Sequence, residues 1–169
     1  MCPTNLMASL APAALLAGSD SAYHPVSHFL VVDDISSMRR VIGSLLKDQL
    51  RNVRISEAAD GKSALQMLKA AEAEGKPFDF VVTDCHMPHM GGIELLRAIR
   101  EEAPLQHLPV LLVTAEATKD MILQAAKAGA DGYIVKPFNA DTLRTKLHQI
   151  MSKRSRCRAP STTPAAVAA

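Results

Sequence analysis

Neither sign of charge dominates this chain. Its 19 basic and 17 acidic residues leave a formal net charge of +2, so there is no broad basic surface to make nucleic acid the main partner. Cysteine is scarce: Cys2, Cys85 and Cys157 are odd in number, far apart and without a C-x-x-C pair. That excludes a disulfide framework and a thiolate zinc site and points to a reducing cytoplasm. No apolar run reaches the ~20 residues that a membrane helix needs. The stretch from Leu6 to Gly18 (LMASLAPAALLAG) has the outline of a signal-peptide core, but no Lys or Arg precedes it, and Ser19 stands where a lipoprotein signal would place cysteine. Residues 1–27 are therefore expected to be a flexible extension. With 169 residues, 48% of them hydrophobic, the chain can bury one sizeable core but not two ordinary ones.

What is present is an alternation of two patterns. Short apolar runs at Phe29 to Val32, Val53 to Ala58, Phe78 to Thr83, Val110 to Thr114 and Tyr133 to Val135 are five strand candidates. The first, third and fourth are almost continuously apolar, as strands are when helices cover both faces of a parallel sheet. Between and after the runs, apolar residues recur at three and four: Met38, Val41, Ile42, Leu45 and Leu46; Ala64, Leu65 and Leu68; Ile93, Leu96 and Ile99; Met121, Ile122 and Ala125; Leu143, Leu147, Ile150 and Met151. Gly129 suits a left-handed helix end and Asn139 an N-cap. Gly43, inside the first helix, costs roughly 1 kcal/mol relative to Ala. Five strand–helix units in series imply an α/β fold, a doubly wound open parallel sheet with right-handed crossovers, whose ligands bind beyond the carboxyl ends of the strands. Residues 153–169, basic and then rich in Ala and Pro, cannot form a core and are expected to be a flexible tail. No room is left for a second effector domain.

The residues at those strand ends carry chemistry. Asp33 and Asp34 follow the first run, Asp84 the third, Thr114 ends the fourth, and Lys136-Pro137 follows the fifth. Three carboxylates crowded in a partly desolvated cleft demand a cation. Hard oxygen ligands in an incomplete cage suit Mg²⁺, which retains waters and takes one or two carboxylates plus a phosphate oxygen. Lys136 as a point charge for phosphate and Thr114 as a hydroxyl donor complete a site for phosphoryl transfer, with Asp84 on the central strand as nucleophile.

The runs VVDDISSMRR, VVTDCHMPHMGGIELLRAIR, LPVLLVTAEA and GADGYIVKPF resemble the receiver domains of bacterial two-component systems, and among them the single-domain chemotaxis regulators, over residues 28–152. The resemblance implies a flavodoxin-like, five-stranded sheet of order 2-1-3-4-5 and a monomer. It implies that Asp84 is the phosphoacceptor, loaded by a sensor histidine kinase. It implies Mg²⁺ ligation by Asp34, Asp84 and the backbone carbonyl of His86, with Asp33 reaching the ion through water. Lys136 would contact the phosphoryl group across a cis bond to Pro137, and Thr114 would move toward a phosphoryl oxygen as the Tyr133 ring is buried. Phosphorylation then shifts a two-state equilibrium. The readout face would be the fourth helix, fifth strand and fifth helix, where Lys119, Ile122, Tyr133 and Lys146 match positions used against the flagellar motor switch; another signalling protein in a phosphorelay is the alternative partner. His86 and Glu116 match positions that tune phosphoryl lifetime.

Several features depart from this pattern or mimic another. Gly91-Gly92 replaces the common Asp-Gly, and Gly91 is the poorer N-cap, so the third helix is expected to fray at its start. Asp60-Gly61-Lys62-Ser63 holds the tail of a P-loop, but Ser56 stands where its first glycine belongs, so it reads as a turn opening the second helix. His86 and His89 suggest a metal pair but read as solvated side chains, Cys85 as a small, partly buried residue, and Lys153, Arg154, Arg156 and Arg158 as a solvated charge run. A phosphatase of the haloacid-dehalogenase type would need a second Asp where His86 stands. A flavin or nucleotide carrier would need a glycine-rich phosphate loop.

Overall fold

The computed structural model describes residues 27–157. Strand and helix alternate throughout: β1 Ser27–Val32, α1 Ser36–Gln49, β2 Val53–Ala58, α2 Gly61–Ala73, β3 Phe80–Asp84, α3 Gly92–Glu101, β4 Val110–Thr114, α4 Lys119–Ala128, β5 Gly132–Val135 and α5 Ala140–Cys157. The expected N-terminal extension up to residue 26, with its apolar run, and the tail from residue 158 lie outside the described residues.

The strands form one parallel sheet of order β2-β1-β3-β4-β5. The chain steps outward from β1 to β2 and then returns to β3, so the loops leaving β1 and β3 diverge and open a crevice at the carboxyl edge. Alternate side chains of the central strands enter two separate cores. Leu30, Val32, Val81 and Leu112 pack with Leu68, Leu95, Leu96, Ile99 and Ala125 of α2, α3 and α4. Phe29, Val31, Phe80, Val82 and Val113 pack with Ile42, Leu46, Leu143, Leu147 and Ile150 of α1 and α5. This two-sided burial is why those strands read as continuous apolar runs.

The buried faces of the helices differ from their sequence stripes, as α1 and α3 show. In α1 the buried residues are Ile42, Gly43 and Leu46, while Val41 is 52% exposed. Successive helical residues are ~100° apart, so the wide stripe cannot all face inward. Gly43 faces inward against β2, and a Cβ there would lie 3.8 Å from the Ile55 side chain, an ordinary contact distance, so packing does not demand glycine at this position. In α3, Leu95 joins Leu96 and Ile99 in the core, while Ile93 is only half-buried.

The turns follow their capping chemistry. Asp60 Oδ1 accepts from Ser63 N at 2.7 Å, Thr118 Oγ1 from Met121 N at 3.3 Å and Asn139 Oδ1 from Thr142 N at 2.9 Å, opening α2, α4 and α5. Gly129 closes α4 at φ 88°, in the left-handed region that glycine enters freely. Helix α5 continues past Lys153 to Cys157, and Arg154 is no solvated charge. Its Nη2 lies 2.8 Å from Asp131 Oδ1 and 2.9 Å from Oδ2, and its Nη1 meets the His107 carbonyl. Arg100 reaches the same carboxylate at 3.0 Å and the Gly129 carbonyl at 2.9 Å, while Val110 N donates to it at 2.9 Å. Asp131 thereby ties α3, β4 and α5 together at the amino edge of the sheet, opposite the crevice.

Candidate functional site

Parallel strands bring their carboxyl ends to one edge, and there Asp33, Asp34 and Asp84 meet, one carboxylate oxygen of each lying within 4.8 Å of the other two. Asp33 is fully buried and Asp84 is 8% exposed, whereas Asp34 is open to solvent. Each buried carboxylate is fixed by its own turn. Asp33 Oδ1 accepts from Ile35 N at 2.9 Å, and its backbone N donates to Ala58 O of β2 at 3.2 Å. Asp84 Oδ1 accepts from Cys85 N at 2.8 Å, and the His86 amide donates to the same carboxylate.

Lys136 closes the pocket. It follows β5 directly, its backbone N donates to Thr114 O at 2.7 Å, and its bond to Pro137 is cis. Its Nζ lies 3.0 Å from Asp33 Oδ2 and 3.5 Å from Asp84 Oδ2. Burial disfavours the ammonium, but the hydrogen bond to Asp33 and the charges of Asp84 and Asp33 outweigh it and raise its pKa. The pKa of Asp84 is also raised, chiefly by burial, with Asp33 adding to the rise while Lys136 and the two amides oppose it. Three carboxylates against one ammonium leave two negative charges, all on hard oxygen ligands. A divalent cation fits that donor set.

The switch candidates are at hand. Thr114 is buried, its Oγ1 donates to Glu116 O at 2.9 Å and accepts from Glu116 N at 3.2 Å, and it also contacts the Cys85 thiol, whose pKa burial raises. Tyr133 is 36% exposed, with Lys146 Nζ 5.7 Å from its ring centroid. Ile122, Tyr133 and Lys146 line a groove of ≈ 630 Å³ between α4 and α5. Lys119 is exposed at the start of α4, outside that lining. His86 and Glu116 are exposed beside the pocket. Neither His86 nor His89 joins the aspartates in a metal-binding group among the described residues.

The start of α3 is firmer than its sequence suggests. Gly91 N donates to Glu94 Oε2 at 2.9 Å, and Gly92 N donates to Cys85 O at 3.0 Å. A Cβ on Gly92 would sit 2.1 Å from Asp84 O, so glycine is what lets α3 abut the candidate acceptor. Sequence reasoning missed a second basic residue, Arg39, whose Nη1 donates to Asp33 O at 2.7 Å and whose Nε donates to Glu57 Oε2 at 3.0 Å. Its only sequence signal was a basic residue one turn into α1, and the partner on β2 is visible only in the fold.

A family model described as the response regulator receiver domain matches residues 29–148. The chain belongs to the response-regulator receiver family. This receiver is 52% identical over 124 residues to the chemotaxis protein CheY of Pseudomonas aeruginosa, covering 73% of this chain and 95% of that protein. It is equally identical over 124 residues to CheY-3 of Vibrio cholerae, covering 73% and 91%. The solved structure of the chemotaxis response regulator CheY4 of V. cholerae aligns with TM-score 0.63 and 33% identity over 74% of this chain and 98% of that one. Receivers of this kind are phosphoacceptor switches rather than enzymes acting on a separate substrate, and they generally bind Mg²⁺ at an acidic pocket. No helix among the described residues is long and apolar enough to cross a membrane.

Proposed function

We propose that this receiver accepts a phosphoryl group on Asp84 from the phosphohistidine of a sensor kinase, and that the acyl phosphate changes its affinity for a motility-control partner. The carrying observation is the convergence of three carboxylates and one lysine around a buried carboxylate at the end of the central strand. The Asp84 oxygen forms the new bond to phosphorus, the P–N bond of the donor breaks, and the departing imidazole nitrogen keeps the electron pair and takes up a proton. Asp34, Asp84 and the His86 carbonyl would hold Mg²⁺, with Asp33 acting through water; the ion supplies charge neutralisation as phosphorus changes partner. Lys136, 3.5 Å from Asp84 Oδ2, would contact a phosphoryl oxygen. Oriented amides of Cys85 and His86 already point at the acceptor, so little reorganisation is needed.

For the switch, the Thr114 hydroxyl leaves Glu116 for the phosphoryl oxygen, and the half-exposed Tyr133 ring takes a buried position. His86 and Glu116, at the pocket rim, set access of water to the acyl phosphate. The readout is the α4–β5–α5 groove with Lys119, Ile122, Tyr133 and Lys146. The names of the relatives favour a role in chemotaxis; the flagellar motor switch as partner, a cytoplasmic location and a monomeric protein are what the family resemblance adds to this reading. A phosphorelay shuttle or sink is the second reading within the same chemistry. A phosphomonoester phosphatase is disfavoured by His86 standing two residues beyond Asp84. Binding of a motor-switch peptide to the protein with and without beryllofluoride and Mg²⁺ separates these readings: tighter binding of the beryllofluoride form is expected, and equal binding defeats the chemotaxis output.

A further inference from the structure

Two cations border the acidic pocket, and they do different work. Lys136 touches carboxylates. Arg39 touches none of the three; it bonds the backbone carbonyl of Asp33 and is balanced by Glu57. We infer that Arg39, clamped by Glu57, is a positioning residue that holds the Asp33–Asp34 loop in the arrangement a divalent cation requires, an inference that rests on the Mg²⁺-dependent phosphoacceptor reading above.

The loop needs such a brace because its own sequence supplies few. Helix α1 has Ile35 at its N-cap, with no side-chain cap bond and no acidic residue in the first turn. Ile35 N is spent on Asp33 Oδ1 at 2.9 Å. The strand ladder ends nearby, with Val31 opposite Glu57 and Val32 opposite Ala58. Beyond it, the direction of the Asp33 peptide, and with it the start of Asp34, depends on where the Asp33 carbonyl is held. The Arg39 bond to that carbonyl is charge-assisted and, at 2.7 Å, short. The Arg39 side chain is 16% exposed and that of Glu57 is 43% exposed, so the guanidinium is the better-packed member of the pair. Its planar fork uses Nε for β2 and Nη1 for the loop, two directions that a lysine ammonium on a flexible stem does not fix together. Hydrogen-bond partners behind metal ligands typically change metal affinity about 10–100-fold when removed.

Electrostatics gives the test its sign. Removing a positive charge beside a cation site should strengthen cation binding. Loss of a positional brace should weaken it. The experiment is calorimetric titration of the full chain with MgCl₂, comparing wild type, Arg39→Gln, Arg39→Lys and Asp34→Asn, alongside melting without Mg²⁺. Arg39→Gln is expected to raise the Mg²⁺ Kd about tenfold, and Arg39→Lys to raise it severalfold although the charge is kept. An Arg39→Gln Kd equal to or lower than wild type, whatever its melting temperature, overturns the inference. If Arg39→Gln does not fold, Arg39→Lys decides: a wild-type Kd overturns the inference and a weakened one supports it. Wild type that binds no Mg²⁺, or binds it as well after Asp34→Asn, defeats the parent reading itself. Tight wild-type binding lost in Asp34→Asn but unchanged in both Arg39 variants defeats only the role of Arg39.

Discussion

Neutralising Asp84 should stabilise the metal-free protein. Burial is the main cost of its charge: Asp84 is 8% exposed, and taking a carboxylate that far out of water costs about 3–4 kcal/mol. The Asp33 carboxylate, with an oxygen inside 4.8 Å, adds about 3.5 kcal/mol at an effective dielectric of about 20, while Asp34 is exposed to solvent and adds little. Lys136 at 3.5 Å offsets about 5 kcal/mol on the same scale, leaving about 2 kcal/mol opposed to folding. Asp84→Asn keeps the shape, removes the charge and leaves Lys136 its 3.0 Å bond to Asp33. In EDTA at neutral pH the variant should melt about 4–8 °C above wild type. A carboxyl whose pKa is raised in the folded state, as burial raises that of Asp84, loses stability as pH rises from the unfolded toward the folded value. The gap should therefore be fully open above the folded pKa and close as pH falls below the unfolded carboxylate range near ~4. Saturating Mg²⁺ should also narrow it, because wild type gains a ligand that the variant binds poorly. Calorimetric melting with EDTA, and then with Mg²⁺, reads both effects. An Asn variant that melts at or below wild type in EDTA would refute the reasoning.

Two further substitutions probe the two edges of the sheet. Lys136→Gln strips the cation from the fully buried Asp33 and from Asp84, and urea unfolding at neutral pH should show a loss of about 3 kcal/mol. The stability that Lys136 adds belongs to a group with a raised pKa, so it is present below the unfolded lysine value and lost as pH climbs through the folded one. Arg154→Ala removes one of the two guanidinium groups on Asp131, while Arg100 and the Val110 amide remain. A loss of about 1.5 kcal/mol in urea is expected, with an unchanged Mg²⁺ Kd because the network sits at the opposite edge from the aspartates.

Legibility followed periodicity. β1, β3 and β4 were readable because helices cover both their faces, and β5 because its short run is followed at once by Lys136-Pro137. The apolar run of the third strand begins at Phe78, two residues before β3 itself. Phe78 is buried but stacks on His28, with ring centroids 3.9 Å apart, and the Asp79 carboxylate accepts from His28 N at 2.7 Å, so these residues brace the start of β1 instead of joining the ladder. Asp34, Asp84, Thr114 and Lys136 could be found because each stands at a strand end, where the doubly wound order brings them to one crevice. Arg39 with Glu57, and Arg154 with Arg100 and Asp131, could not. Their partners come from distant segments, and a paired arginine carries the same letter as a solvated one. Gly91-Gly92 looked like a weak cap, because the nearness of α3 to the Asp84 carbonyl is a property of packing.

Incubation with acetyl phosphate and Mg²⁺, read by intact mass on wild type and Asp84→Asn, bears most directly on the acidic pocket. Wild type should gain a single phosphoryl group that is labile to alkali and absent without Mg²⁺, and Asp84→Asn should gain none. Equal uptake by both proteins, or none by a folded wild type that binds Mg²⁺, would contradict a phosphoacceptor at the end of the central strand.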